Sequence, residues 1–321
     1  MSSPNSITSV PGVLHHIPPI TAFEPTSRLQ RSLNVNTLIW IGGLFDTYLN
    51  VSYPYTLAQQ LPPNWSLVQI LLSSSAHGWG TGSLNFDVAE LGRAVAYFKV
   101  RRPGGKVVLM GHSTGCQDGL HYAVSPVKEG LNRPQIEGLI LQAPVSDREA
   151  IVKDLSAEIY DATNGMAARW ISQGKGEDCL PLSATKRVFG SCPVSARRWI
   201  SLASPGPDHA GEDDLFSSDL SLERLRSTFG KMPPHTPLLL LYGGSDEYVP
   251  SHVDREALIR KWVAVVKEGN GNVDETSAKL LEGATHNLNK DPENVVQELC
   301  SRVIAFLRRL DEGDFEASPK M

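Results

Sequence analysis

A serine becomes a strong nucleophile only beside a base, and the base needs a third group to hold its tautomer. Ser113 lies in Gly111-His112-Ser113-Thr114-Gly115, which fits Gly-x-Ser-x-Gly. The run Lys106 to Met110 reads as a strand, and a helix follows from Cys116 to about Val124. A sharp strand-to-helix turn holds the serine in a strained conformation, and glycines two residues either side let backbone segments approach. The helix N-terminus favours negative charge developing beside the nucleophile. Three fixed positions in five are common by chance. The flanking elements and the ordered partners make this instance specific.

On such a turn the partners follow in the order serine, acid, histidine. His286 is the best base: it follows a strand and lies in the loop Gly283-Ala284-Thr285-His286 before the final helix. His252 is the serious substitute, but it sits too close to the candidate acid. Asp246 is the best acid, because Leu239 to Tyr242 is a strand running into Gly243-Gly244-Ser245-Asp246. Glu247 is adjacent with a less fixed reach. Asp147, after the fourth parallel strand candidate, is the rival acid, or part of an ion-pair hinge Asp147-Arg148-Glu149.

A tetrahedral intermediate needs two backbone donors. One is the N–H of Thr114. The other is expected from Ile41-Gly42-Gly43-Leu44-Phe45-Asp46, with Leu44 first and Gly43 second, and with Asp46 bracing the loop. Gly43, Ser75, His77 and Trp79 are candidate pocket residues. Trp170 and Trp199 are candidate pocket walls, though a tryptophan is more often ordinary packing. The acidic stretch Asp208, Glu212, Asp213, Asp214 and Asp219 reads as a solvated loop or as an attractor for a cationic amine.

The elements that must position these groups alternate. Strand candidates are Asn36–Ile41, Leu67–Leu72, Lys106–Met110, Ile136–Gln142, Leu238–Tyr242 and Ala278–Leu281; residues 13–32 add one or two edge strands. Helical spacing marks 53–61, 85–99 and 254–267. Asp291 is placed to cap the last helix, with Pro292 in its first turn. Its apolar face runs through Val295, Val296, Leu299, Val303, Phe306, Leu307 and Leu310. Buried strands alternating with helices predict a mostly parallel sheet covered on both faces. Residues 145–235 break the rhythm and read as a helical, lid-like insertion over the C-terminal edge, where open parallel sheets bind ligands. One domain over 13–310 is expected, with tails at 1–12 and 311–321.

With 321 residues, 41% apolar and 20% charged, the chain can bury a full core. A net charge of −5 gives no general attraction to nucleic acid. The four cysteines are widely spaced, which argues against a disulfide scaffold or zinc site. The first residues lack a basic flank leading into an apolar run, so a secretory signal is not expected. No run of about 18 apolar residues predicts a membrane span. Together these favour a cytoplasmic protein. Neither Gly-x-Gly-x-x-Gly after the early strands nor a Walker sequence is present, which disfavours nucleotide binding.

At Gly42-Gly43-Leu44, Gly111-His112-Ser113-Thr114-Gly115 and Pro144-Val145-Ser146-Asp147-Arg148-Glu149 the chain resembles a fungal α/β-hydrolase family first described as domain of unknown function 1749. The resemblance spans about residues 12–310. It implies the α/β-hydrolase fold, with Ser113 as nucleophile, Asp246 as acid and His286 as base. It further implies an intracellular serine esterase that needs no cofactor. The implied substrate is a ferric or iron-free hydroxamate siderophore of the fusarinine type, whose hydrolysis releases iron. Other readings are a carboxylesterase, lipase or thioesterase for another small acyl ester, and a hydrolase-fold binding protein without turnover. Oligomeric state is left open.

Overall fold

A computed structural model describes residues 9–26, 36–127 and 133–315. Its strands are β1 (Gly12–Ile17), β2 (Ile20–Pro25), β3 (Asn36–Ile41), β4 (Trp65–Leu71), β5 (Val107–His112), β6 (Gly138–Gln142), β7 (Leu238–Gly243) and β8 (Leu280–Leu281). They form one sheet in the order β1-β2-β4-β3-β5-β6-β7-β8. The hairpin β1-β2 joins β4 antiparallel at one edge, and the remaining pairs are parallel.

Helices α1 (Tyr53–Gln60), α2 (Leu84–Arg101), α3 (Gly115–Val124), α4 (Asp147–Asp154), α5 (Ala157–Ser172), α6 (Leu182–Phe189), α7 (Ala196–Ala203), α8 (Leu222–Ser227), α9 (Arg255–Glu268) and α10 (Glu293–Glu312) complete the order. The central strands are apolar throughout because both faces are covered, and alternate residues serve opposite layers. Ile39, Ile41, Leu139 and Leu141 pack with Leu91, Val95, Leu120 and Trp262 of α2, α3 and α9. Leu38, Trp40 and Ile140 pack on the other face with Leu57 of α1 and Leu299, Val303 and Phe306 of α10.

Residues 145–235 divide in two. Helices α4 to α7 build a separate apolar cluster around Trp199, Phe189, Leu155 and Trp79, and this is the cap. Leu215, Phe216, Leu225, Phe229 and Met232 instead join the α2-α3-α9 core beneath the sheet, so only the first part of the segment covers the strand ends.

Three further expectations change. The strand over 278–281 shrinks to β8, because the amides of Ser277, Ala278 and Lys279 are spent in a turn with Asp274 and Ser277 carbonyls. Asp291 does not cap α10. It accepts from the Thr285 amide at 2.7 Å and the Thr285 hydroxyl at 2.8 Å. The chain after 310 is ordered through 315: Asp311 accepts from the Trp65 indole at 2.8 Å, and Phe315 packs on Phe306. Residues 1–8 and 316–321 of the expected tails, and 27–32 of the edge segment, lie outside the described residues. Among the described residues no helix is long and apolar enough to cross a membrane.

Candidate active site

The parallel strands β3, β5, β6 and β7 all end on one edge, and their loops bring the chemistry together. Ser113 follows β5 directly and adopts φ 54°, a left-handed conformation that costs a non-glycine residue energy. A β-carbon at Gly111 would lie 2.2 Å from the Gly115 carbonyl oxygen, and one at Gly115 would lie 2.4 Å from that of Ile41. Both positions therefore require glycine, and the turn closes tightly enough to put Thr114 at the start of α3.

Ser113, His286 and Asp246 form one hydrogen-bonded chain. His286 Nδ1 lies 2.8 Å from Asp246 Oδ2, and Nε2 lies 2.8 Å from Ser113 Oγ. An ionised Asp246 only accepts, so Nδ1 carries the proton and Nε2 is left to accept the serine proton. The second Asp246 oxygen accepts from the Tyr248 amide at 3.0 Å. Glu247, the weaker acid candidate, accepts the His286 backbone N–H at 3.0 Å. It holds the loop, not the ring. Asp147 accepts from the Gln117 side chain at 2.7 Å, and His252 is exposed in a turn before α9. Burial raises the Asp147 carboxyl to about 8, helped by the nearby Asp213 charge.

The loop after β3 places Gly43 against Ser113: a β-carbon there would meet Ser113 Cβ at 2.6 Å. The Gly43 N–H already donates to Asp46 Oδ2 at 2.8 Å, so Asp46 braces this turn. Among the described residues the Leu44 and Thr114 amides donate to no protein acceptor. Burial raises the Asp46 carboxyl. His112, fully buried beside His286, is pushed down to about 3, first by burial and then by the His286 charge.

A cleft of about 230 Å³ opens over Ser113 and His286. Its walls are Leu44 and Phe45, the α4 face carrying Asp147, Ile151 and Asp154, and Phe189 of α6. Ser75 and Trp79 line a smaller polar cavity behind Leu44 instead. The His77 ring supports Phe45 edge-on at 5.4 Å. Trp199 is wholly buried, and its indole donates to Asn164 at 2.8 Å. Trp170 packs against the same cap cluster. Neither tryptophan is a pocket wall, because the cap needs large side chains for its own core. Three members of the acidic stretch are taken up by the protein's own arginines. Arg198 takes Asp213, while Arg148 takes Asp214 and Asp219. A larger cleft of about 660 Å³ lies between the 73–83 loop and α7 and touches none of Ser113, Asp246 or His286.

Phe45, Ile151, Asp154 and Phe189 were not foreseen as lining residues. One signal existed: 147, 150, 151 and 154 fall at helical spacing and all face the cleft.

A family described as a protein of unknown function (DUF1749) matches residues 5–308. The fusarinine C esterase sidJ of Aspergillus fumigatus is 35% identical, covering 94% of this chain and 96% of its own. An esterase of Emericella nidulans is 37% identical, covering 95% and 94%. The solved structure of the siderophore hydrolase EstB from Aspergillus fumigatus superposes with a TM-score of 0.82 at 34% identity, covering 94% and 98%. A monoglyceride lipase of Saccharomyces cerevisiae, at 13% identity and a TM-score of 0.58, shares the fold alone. With the whole domain matched and the strand order in place, the chain belongs to the DUF1749 family and carries the α/β-hydrolase fold.

Proposed function

We propose that the protein is a serine esterase that hydrolyses hydroxamate siderophores of the fusarinine type. The observation that carries the chemistry is the continuous chain Asp246–His286–Ser113, with both links at 2.8 Å. His286 takes the Ser113 proton as the oxygen attacks the ester carbonyl. The Leu44 and Thr114 amides hold the oxyanion. His286 then gives its proton to the departing alcohol, and water activated by the same ring releases the acid. Asp246 orients the imidazole throughout. Any iron belongs to the substrate.

The substrate reading rests on the fusarinine C esterase and siderophore hydrolase relatives. The cleft, at about 230 Å³, is smaller than the roughly 300–1,000 Å³ that encloses a drug-sized ligand. One ester arm enters while the rest of the siderophore stays at the mouth. The same size favours a second reading, a simple small acyl ester. The setting that follows is cytoplasmic, in release of iron from siderophores already taken up.

Ferric and iron-free fusarinine-type esters, incubated with the enzyme and followed by mass spectrometry, test the substrate. Stepwise hydrolysis at the ester bonds is expected. Rapid cleavage of simple acyl esters beside intact siderophore would favour the second reading. Ser113→Ala and His286→Ala should lower kcat roughly 10⁴–10⁶-fold. Retained activity in Asp246→Asn with loss in Asp147→Asn would move the acid role to Asp147.

A further inference from the structure

Gln142, the last residue of β6, touches both ends of the reacting pair without touching the cleft. Its backbone carbonyl accepts the Ser113 N–H at 3.1 Å. Its side-chain amide lies 3.3 Å from the His286 carbonyl oxygen. It is wholly buried, so these contacts have no competition from bulk water.

The polarity of the surrounding network is fixed at both ends. The His286 carbonyl can only accept, so Gln142 Nε2 donates to it. At the far end the Trp40 indole can only donate, and it lies 2.8 Å from the Tyr53 hydroxyl. The Tyr53 hydroxyl therefore donates its own hydrogen bond to Gln142 Oε1, at 3.0 Å. His112 Nδ1 lies 2.5 Å from the same oxygen and must be the second donor. His112 is thereby a neutral Nδ1–H tautomer. It stacks on Trp40 with ring centroids 5.9 Å apart, and its ring is 5.1 Å from that of His286. Its bare Nε2 faces Asp46 Oδ2 at 3.7 Å. The network runs from β3 through α1 and β6 to the histidine loop, and each donor has one acceptor waiting.

We propose that Gln142, oriented by Tyr53 and His112, is a positioning residue that sets the Ser113–His286 separation by holding the nucleophile's amide and the base's carbonyl on one rigid side chain and backbone. The inference rests on the esterase reading of Ser113 and His286. Its physical basis is that reacting atoms misplaced by about 1 Å can cost 10²-fold in rate. Neither Asp246 nor Glu247 supplies this spacing, since both reach His286 from the β7 side and neither contacts Ser113.

The test uses the full-length enzyme and a fluorophosphonate probe. The endpoint of labelling counts folded sites, and the labelling rate constant reports the reactivity of Ser113. Gln142→Met keeps the volume and removes both hydrogen-bonding ends. It should lower kcat per labelled site and the labelling rate constant by roughly 10–100-fold, with KM within about twofold. Tyr53→Phe removes one donor and should lower both by about threefold. Wild-type rate constants in Gln142→Met, with only thermal stability reduced, would make the residue merely structural. A raised KM at full kcat would likewise overturn the proposal. If Gln142→Met does not fold, Tyr53→Phe decides, and an unchanged labelling rate refutes the network. Labelling of the wild type but not of Ser113→Ala shows that the esterase reading stands independently. A wild type that does not label at all overturns both.

Discussion

Around His286 the buried polar atoms are matched to one another. Asp246 is shared between the ring and the Tyr248 amide, Glu247 takes the His286 N–H, and Asp291 takes both donors of Thr285. Between cap and body the pattern differs. Arg198 of α7 is almost wholly buried and bonds Asp213 at 2.6 Å, while Asp87 of α2, Asp118 of α3 and Asp147 of α4 also feel its charge. Asp87 Oδ1, Asp213 Oδ1 and Arg198 Nε have no hydrogen-bond partner among the described residues. Burial raises the Asp87 and Asp118 carboxyls; the Asp87 charge raises Asp118 further, and the Asp213 charge raises both. The strand-end site thus meets the cost of buried polarity with geometry. The cap seam meets it with Arg198, shared among several carboxylates, and with retained protons. Rigid placement belongs to the first arrangement and adjustable stability to the second.

Removing Arg198 should separate the two most. Arg198→Met leaves Asp213 buried opposite no charge and should cost about 3–5 kcal/mol of stability, read by denaturant unfolding. The kcat of the folded fraction should stay within a few-fold of wild type, since Arg198 contacts neither Ser113 nor His286. A loss of kcat as large as the loss of stability would mean that the seam also shapes the catalytic geometry. The converse is Gly43→Ala. Its new methyl would meet Ser113 Cβ at 2.6 Å and displace the Leu44 amide. That should lower kcat by roughly 10²–10³-fold, the usual effect of one lost oxyanion donor. Full activity in Gly43→Ala would remove the loop after β3 from the mechanism.

The same contrast explains what could be read from residue order. Ser113, Asp246 and His286 were legible because each directly follows an apolar strand, and a parallel sheet delivers its strand ends to one edge. Glycine pairs marked the turns for the same local reason. Asp291 was misread because a cap is inferred from the helix that follows, whereas its partner Thr285 lies in the preceding loop. For Trp170 and Trp199 ordinary packing was the favoured reading and is what the cap shows, though composition does not say which way a helix turns its large residues. Phe45, Ile151 and Phe189 meet over Ser113 only after the cap has folded onto the body. The α4 spacing carries Ile151, and no local pattern carries the placement of Phe45 or Phe189.

The smallest effect concerns pH, and there the two regions should slope in opposite directions. His112 in the site is held at about 3 when folded, against an ordinary value of 6.5. The unfolded chain gains a proton that the native state refuses, so stability from this group is full above 6.5 and is lost as pH falls towards 3. Asp147 at the cap is raised to about 8 from 3.8. The native state keeps a proton that the unfolded chain releases, so its contribution is full below about 4 and is lost as pH rises through 8. Each group alone sets a slope of at most about 1.4 kcal/mol per pH unit. Asp147→Asn, whose amide oxygen can still accept from Gln117, should flatten the alkaline side of a stability–pH curve and leave the acid side unchanged. His112→Asn should do the reverse. If Asp147→Asn instead flattened the acid side, Asp147 would be ionised in the native state and the cap's balance of charge by retained protons would be wrong at its most exposed member.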